Sequence, residues 1–289
     1  GESFGLASDC EVTLEANPES TTEEYLGEIV EVGITRVSMG VQSFDSQVLQ
    51  TLDRQHDPAR VAPLITAAKE LGLVTSVDLI YGAPGETLNS WSKTLSEALA
   101  LGTDHVSAYS LIVEPGTRLA RQIATGEIGP TSEDLNAEMY EHATQSLEGA
   151  GLEWYEVSNW GKPSEHNSAY WKSQNWWGYG PGAHSHIDGS RFWNHKHPTS
   201  YQKALSDGAP AAGIERLTDR QMLEEQLLLM LRTKWGVERE LFAKLEVPPE
   251  LVAQEIAAGN LELSGADCIR VSRKGRLIVD GLVVKFLSH

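Results

Sequence analysis

Short apolar runs separated by stretches of helical periodicity leave this chain few architectures. The runs cover residues 11–17, 36–42, 74–81, 105–113 and 152–158. Between them, Val61, Leu64, Ile65, Ala68 and Leu71 fall on one helical stripe, opened by Pro58 and closed by Gly72. Leu135, Met139, Ala143 and Leu147 repeat every fourth residue, and Thr21 with Glu24 has the spacing of a capping box, with Gly33 placed to end that helix. Strands alternating with helices predict βα units around a parallel sheet, an α/β fold.

The pattern then changes. Residues 154–193 are rich in tryptophan, and Gly178, Gly180, Pro181 and Gly182 punctuate them, so the segment reads as loop carrying binding residues. After a polar connection over 206–213, Met222, Leu223, Leu227, Met230 and Leu231 mark a helix and residues 251–258 another. Residues 268–280 read as a hairpin turning at Lys274-Gly275. Helices followed by a hairpin predict a small α+β winged-helix-like domain over residues 206–289, with the α/β domain occupying 1–205.

Charge narrows the function. The 289 residues carry 41 acidic and 23 basic side chains, a formal net charge of −18. That field opposes a phosphate backbone, so no nucleic-acid partner is expected. No apolar run is long enough to span a membrane, and no basic, then apolar, leader is visible. The two cysteines, Cys10 and Cys268, form no framework or CxxC site, which fits a reducing compartment and a cytoplasmic protein.

Polar residues at strand ends are the first chemical signal, because loops beyond the carboxyl ends of parallel strands build ligand sites. Glu15 and Asn17 end the first run, Gln42 and Ser43 the second, and Asp78 and Tyr81 lie late in the third. Each is equally explained as a cap or turn residue. Arg54, past a short helical segment, offers a guanidinium fork for a carboxylate, or a surface ion pair with Asp53 or Asp57. Two carboxylates, an amide and an arginine suit an amino acid joined to a ribose. Farther on, His166, Asn167, Tyr170 and Trp171 set an imidazole beside aromatic faces, as a porphyrin site needs and as a buried loop cluster also would. His184/His186 and His195/His197 are two His-x-His pairs without a third metal ligand at recognisable spacing.

Together, Glu15-Ala16-Asn17-Pro18, Gly40-Val41-Gln42-Ser43-Phe44, residues 78–85 (DLIYGAPG), 107–111 (SAYSL) and 178–185 (GYGPGAHS) resemble the radical S-adenosylmethionine (SAM) proteins of the oxygen-independent coproporphyrinogen III oxidase family. They stand in the family's order over residues 11–185. His166-Asn167-Ser168-Ala169-Tyr170-Trp171 resembles the HNxxYW element of its haem-chaperone, HemW-type branch.

The resemblance implies a partial (β/α)6 barrel of TIM type lacking its first strand here. It implies SAM contacts at Glu15, Gln42, Arg54 and Asp78, with Ile112 as a neighbour, and haem contacts at His166, Asn167, Tyr170 and Trp171, with His166 the possible iron ligand. It also implies a [4Fe-4S] cluster on a CxxxCxxC motif, which this sequence does not contain; the cluster ligands are expected upstream of Gly1. The expected function is to bind haem and deliver it to an acceptor protein. The alternatives are an oxidase decarboxylating coproporphyrinogen III to protoporphyrinogen IX, or a catalytically silent barrel serving as an interaction module. Asp78→Asn is expected to impair SAM binding while leaving the melting temperature near wild type.

Overall fold

The computed structural model describes residues 5, 7–265 and 267–288. It divides into two compact units, one ending at Ser164 and one beginning at Glu165.

In the first unit the strands are β1 (Thr13–Ala16), β2 (Arg36–Gln42), β3 (Val74–Tyr81), β4 (His105–Ser110), β5 (Trp154–Glu156) and β6 (Asn159–Gly161). They form one sheet in the order β1-β2-β3-β4-β6-β5. The first four are parallel neighbours, as βα units require. The last two depart from the expected six βα repeats: β6 runs antiparallel to both β4 and β5. Only Val157 and Ser158 join β5 to β6, too short a link for the crossover a parallel pair needs.

The connecting helices are α1 (Glu23–Glu31), α2 (Ser46–Thr51), α3 (Val61–Glu70), α4 (Leu88–Ala100), α5 (Arg118–Ala124) and α6 (Glu133–Gly149). The cap of α1 is Thr22, one residue later than the capping-box spacing predicts, and its side chain accepts from the Tyr25 amide. The Thr21 hydroxyl instead donates to the Asn17 carbonyl at 2.8 Å.

Strand alternation gives this sheet two different faces. Val37, Met39, Val41, Val77, Leu79, Val106 and Ala108 point one way and are fully buried with Leu26, Ile65, Trp91, Leu95, Met139 and Leu147 of the helices. Each buried aliphatic side chain there contributes roughly 2 kcal/mol of transfer free energy. Trp91, fully enclosed, also satisfies its ring N–H on the Met139 carbonyl at 2.9 Å. The opposite face carries Glu15, Arg36, Ser38, Ser76, Asp78, His105 and Ser107, brought into adjacent rows by the strand register.

The second unit contains α7 (Glu165–Trp171), β7 (His184–Ile187), β8 (Ser190–Asn194), α8 (Pro198–Ser206), β9 (Ala211–Arg216) and α9 (Asp219–Met230). These are followed by β10 (Val237–Glu238), α10 (Arg239–Lys244), α11 (Pro249–Ala257), β11 (Leu261–Ser264), β12 (Cys268–Val271) and α12 (Val279–Leu287). The expected boundary at residue 205 would cut a sheet, because β9 pairs with β8 and β8 with β7. Residues 154–193 are likewise not loop throughout. They hold β5, β6, α7 and the β7–β8 hairpin, which turns at Asp188-Gly189, both at positive φ, the Asp-Gly pair favoured in two-residue hairpins.

The C-terminal hairpin also differs from expectation. It is β11–β12, turning across Gly265 and Asp267, and with β10 it makes a three-stranded sheet. Beyond Lys274-Gly275 lies helix, since Val279, Leu282, Val283 and Phe286 repeat at helical spacing and are all buried.

Candidate functional site

The polar face of the first sheet is built around Asp78. Its Oδ1 accepts from the Ser107 hydroxyl at 2.6 Å and its Oδ2 from the Ser38 hydroxyl at 2.9 Å, one donor from each flanking strand. Burial pushes the Asp78 carboxyl upward, against the pull of the two serines and of nearby Arg36; the charge of Glu15 adds to the upward push. Arg36 is buried at 5% exposure, and its Nε has no hydrogen-bond partner among the described residues. Below Asp78, His105 bonds Ser76 Oγ at 2.7 Å through Nδ1 and the Tyr155 hydroxyl at 2.9 Å through Nε2. Burial, with Arg36 adding, pushes His105 down to about 3, so it is a neutral positioning group.

Gln42 enters this region through an irregularity. Gly40 and Gln42 pair with the consecutive residues Asp78 and Leu79, so Val41 between them is an inserted bulge residue, and Gln42 takes φ 65°. A bulge turns the following side chain, a device common beside active sites. At Gly40 an added Cβ would lie 3.0 Å from Gln42 Nε2 and 3.2 Å from Asn17 Oδ1, so glycine leaves room for both amides.

Direct contacts join only some of the expected SAM residues. Glu15, exposed on the edge strand β1, and Asp78 share one face and feel each other's charge. Gln42 lies buried at the end of the adjoining β2. Arg54, half-buried after α2, and Ile112, 76% exposed after β4, have no hydrogen bond or ion pair to those three among the described residues. Ile112 instead lines a cavity of about 460 Å³ with Leu52, Asp53, Leu111, Arg118 and Gln122. The sequence reading gives Ser38, Ser107 and His105 no individual role at the site, although their alternation with Val37, Met39 and Val106 marks strands with one polar face.

Glu86 was missed too. The Gly82 and Ala83 amides donate to its Oε2 at 2.8 and 3.1 Å, closing the turn after β3. Burial outweighs those bonds and lifts the carboxyl to about 7. Between the ordinary value of 4.5 and about 7, the folded chain holds a proton that the unfolded chain has released. The stabilisation is thus full below the ordinary value and lost as pH rises through the native one. Glu86→Gln should gain stability over wild type between about pH 5 and about pH 8, by up to about 3 kcal/mol, in paired thermal melts. A constant difference across that range would remove Glu86 from the pH response.

In the second unit, α7 is a helix where loop was expected. Its turn sets His166 and Tyr170 on one side, ring centroids 4.9 Å apart and edge-on at 86°, and Asn167 with Trp171 on the next. His166 is exposed, while the ring nitrogen of Trp171 is buried without a hydrogen-bond partner among the described residues. His184 and His186 lie on one face of β7. Among the described residues no three His, Cys, Asp or Glu side chains are placed to hold a metal ion, so the His-x-His pairs form no zinc centre there. Two cysteines in the whole sequence cannot supply the three thiolates of a [4Fe-4S] site, so the residues of this chain do not hold that cluster.

The profile of the Radical SAM superfamily matches residues 4–98. The heme chaperone HemW of Mycobacterium tuberculosis is 42% identical over 99% of this chain and 74% of its own length. That of Bacillus subtilis is 32% identical over 96% of this chain and 76% of its own length. Among solved structures, the Escherichia coli coproporphyrinogen III oxidase HemN, a radical SAM enzyme, superposes with a TM-score of 0.82 at 22% identity, covering 99% of this chain and 71% of that one. The likeness to HemN supports the α/β fold, and the identity to the two chaperones decides the branch: the chain belongs to the HemW family of the radical SAM superfamily.

Proposed function

We propose that this protein is a haem chaperone that binds haem in its second unit and passes it to an acceptor protein. The observation that carries the reading is the α7 cluster: an exposed imidazole, His166, packed on Tyr170 within a branch whose curated members are named haem chaperones. An imidazole supplies an iron ligand, and Tyr170, Trp171 and Asn167 supply flat apolar contact and a polar edge. The orphaned Trp171 ring nitrogen suits a site that gains a polar partner when loaded. No helix among the described residues is long and apolar enough to cross a membrane.

SAM suits the first unit as a bound nucleoside: Glu15 and Asp78 offer acceptors for a ribose diol or an ammonium group and Gln42 an amide, while Arg54 would reach the ligand's carboxylate and Ile112 an apolar part of it. SAM supplies methyl or adenosyl chemistry when a reduced cluster is at hand. Ser38 and Ser107 hold Asp78 in place for that contact.

Ferric haem titrated into the chain and followed by Soret absorbance tests the reading. Saturation near one equivalent is expected, with His166→Ala weakening binding at least about tenfold, the equivalent of roughly 1.4 kcal/mol. Binding that ignores His166 would return that residue to an ordinary surface role, and absence of binding would favour a porphyrinogen oxidase.

A further inference from the structure

His186 is buried at 5% exposure on β7, and neither of its ring nitrogens has a hydrogen-bond partner among the described residues. A core histidine is ordinarily satisfied by a carbonyl, a carboxylate or a hydroxyl, because an imidazole stripped of water and given nothing in exchange loses both bonds. The ring is not isolated. It contacts Trp176 with centroids 4.9 Å apart, Trp176 contacts Tyr170 at 4.9 Å, and Tyr170 contacts His166 at 4.9 Å. The two contacts made by Tyr170, with His166 and with Trp176, are edge-on. Two aromatic rings thus separate an exposed imidazole on α7 from a buried one on β7. His184 is drawn away from this run, stacked on Trp193 at 6.0 Å and 26°.

We infer that His186 is a second axial ligand for ferric haem, coordinating on the side opposite His166. The inference rests on the haem reading above. The neutral imidazole donates a lone pair to iron; the Fe–N bond replaces a weak sixth ligand such as water, no bond of the protein breaks, and no electron moves. Tyr170 and Trp176 leave their edge-on contacts and pack on the macrocycle, so the aromatic contact broken in opening the site is returned as stacking. The backbone holds β7 in place meanwhile: the Trp176 amide donates to the His186 carbonyl at 2.9 Å and the His186 amide to the Trp176 carbonyl at 3.0 Å.

The experiment is a ferric haem titration of the whole chain, read by absorbance and by electron paramagnetic resonance, for wild type, His186→Ala, His186→Phe and His166→Ala. Wild type is expected to give a low-spin, six-coordinate signal. Both His186 variants should still saturate, with affinity about tenfold lower, but as high-spin complexes, and free imidazole should return the Ala variant to low spin. His186→Phe keeps an aromatic ring in the core, so its spectrum is readable even where the Ala variant folds poorly. A high-spin wild-type complex, or a low-spin signal that survives in His186→Phe, overturns the inference while leaving haem binding intact. A wild type that binds no haem overturns the haem reading as well.

Discussion

Asp78→Asn should melt within a few degrees of wild type, whereas Asp78→Ala should lose about 3 kcal/mol of stability. The contrast follows from what surrounds the carboxylate. Asn keeps an oxygen to accept from one serine and an amide to donate to the other, so the bonds to Ser38 and Ser107 survive in altered polarity. It also removes the charge whose burial pushes Asp78 upward, which offsets the lost attraction to Arg36. Because that native value is raised, the stability carried by the protonated carboxyl is lost as pH rises through it, and the Asn variant should gain on wild type from acid towards neutral pH. Ala, by contrast, strands two buried hydroxyls and leaves the buried guanidinium without its neighbouring anion. SAM affinity, measured by calorimetry on the chain, should fall at least about tenfold in both variants if Asp78 binds the ligand as an anion. Thermal melts that place Asn and Ala together would refute the two-serine account. Unchanged SAM affinity in Asp78→Asn would make the carboxylate a purely structural group.

The polar face on which that test bears was only partly legible in the sequence. Asp78 and Glu15 stood out because each lies near the carboxyl end of a short apolar run, and runs of that kind announce strands. Ser38 and Ser107 did not, since a serine in a strand acquires meaning only once the register sets it beside a carboxylate from another strand. Gln42 was named, but the bulge at Val41 that turns it depends on pairing with Asp78 and Leu79, a property of two strands rather than of one. Arg54 was grouped with them by its guanidinium and Ile112 by resemblance, and among the described residues neither is hydrogen-bonded or ion-paired to that face. The helix at Glu165–Trp171 was hidden by its aromatic and polar composition, while the Asp188-Gly189 hairpin was written plainly and overlooked. The boundary near residue 205 failed because β9 follows a polar connection yet hydrogen-bonds back to β8. Long-range pairing of this sort leaves no local trace in composition.

The glycine-rich segment GYGPG carries the second large effect, and its first two glycines, Gly178 and Gly180, should behave differently. At Gly178 an added Cβ would lie 2.1 Å from the His184 carbonyl oxygen and 2.8 Å from its carbon, both backbone atoms that cannot swing aside. The residue is glycine because its segment lies directly against β7, where its amide donates to Ser185 Oγ at 2.9 Å. Asn194 Nδ2 clamps the same segment through the Gly180 carbonyl at 2.9 Å. Gly178→Ala must lift the chain from β7, which breaks the Trp176–His186 backbone pair and scatters the ring series that ends at His166. Overpacking against fixed backbone sets the cost at about 3 kcal/mol. Gly180 meets no atom within 4 Å but sits at φ +98°, so its replacement by Ala costs backbone strain alone, about 1 kcal/mol. Hydrogen exchange should show the Trp176 and His186 amides losing protection in Gly178→Ala and keeping most of it in Gly180→Ala, while β2 and β3 stay protected in both. Haem binding should follow the same order, because a macrocycle held between α7 and β7 needs the strand that Gly178 allows to approach. Equal loss in the two variants would mean that the contact with the His184 carbonyl costs no more than the backbone strain at Gly180.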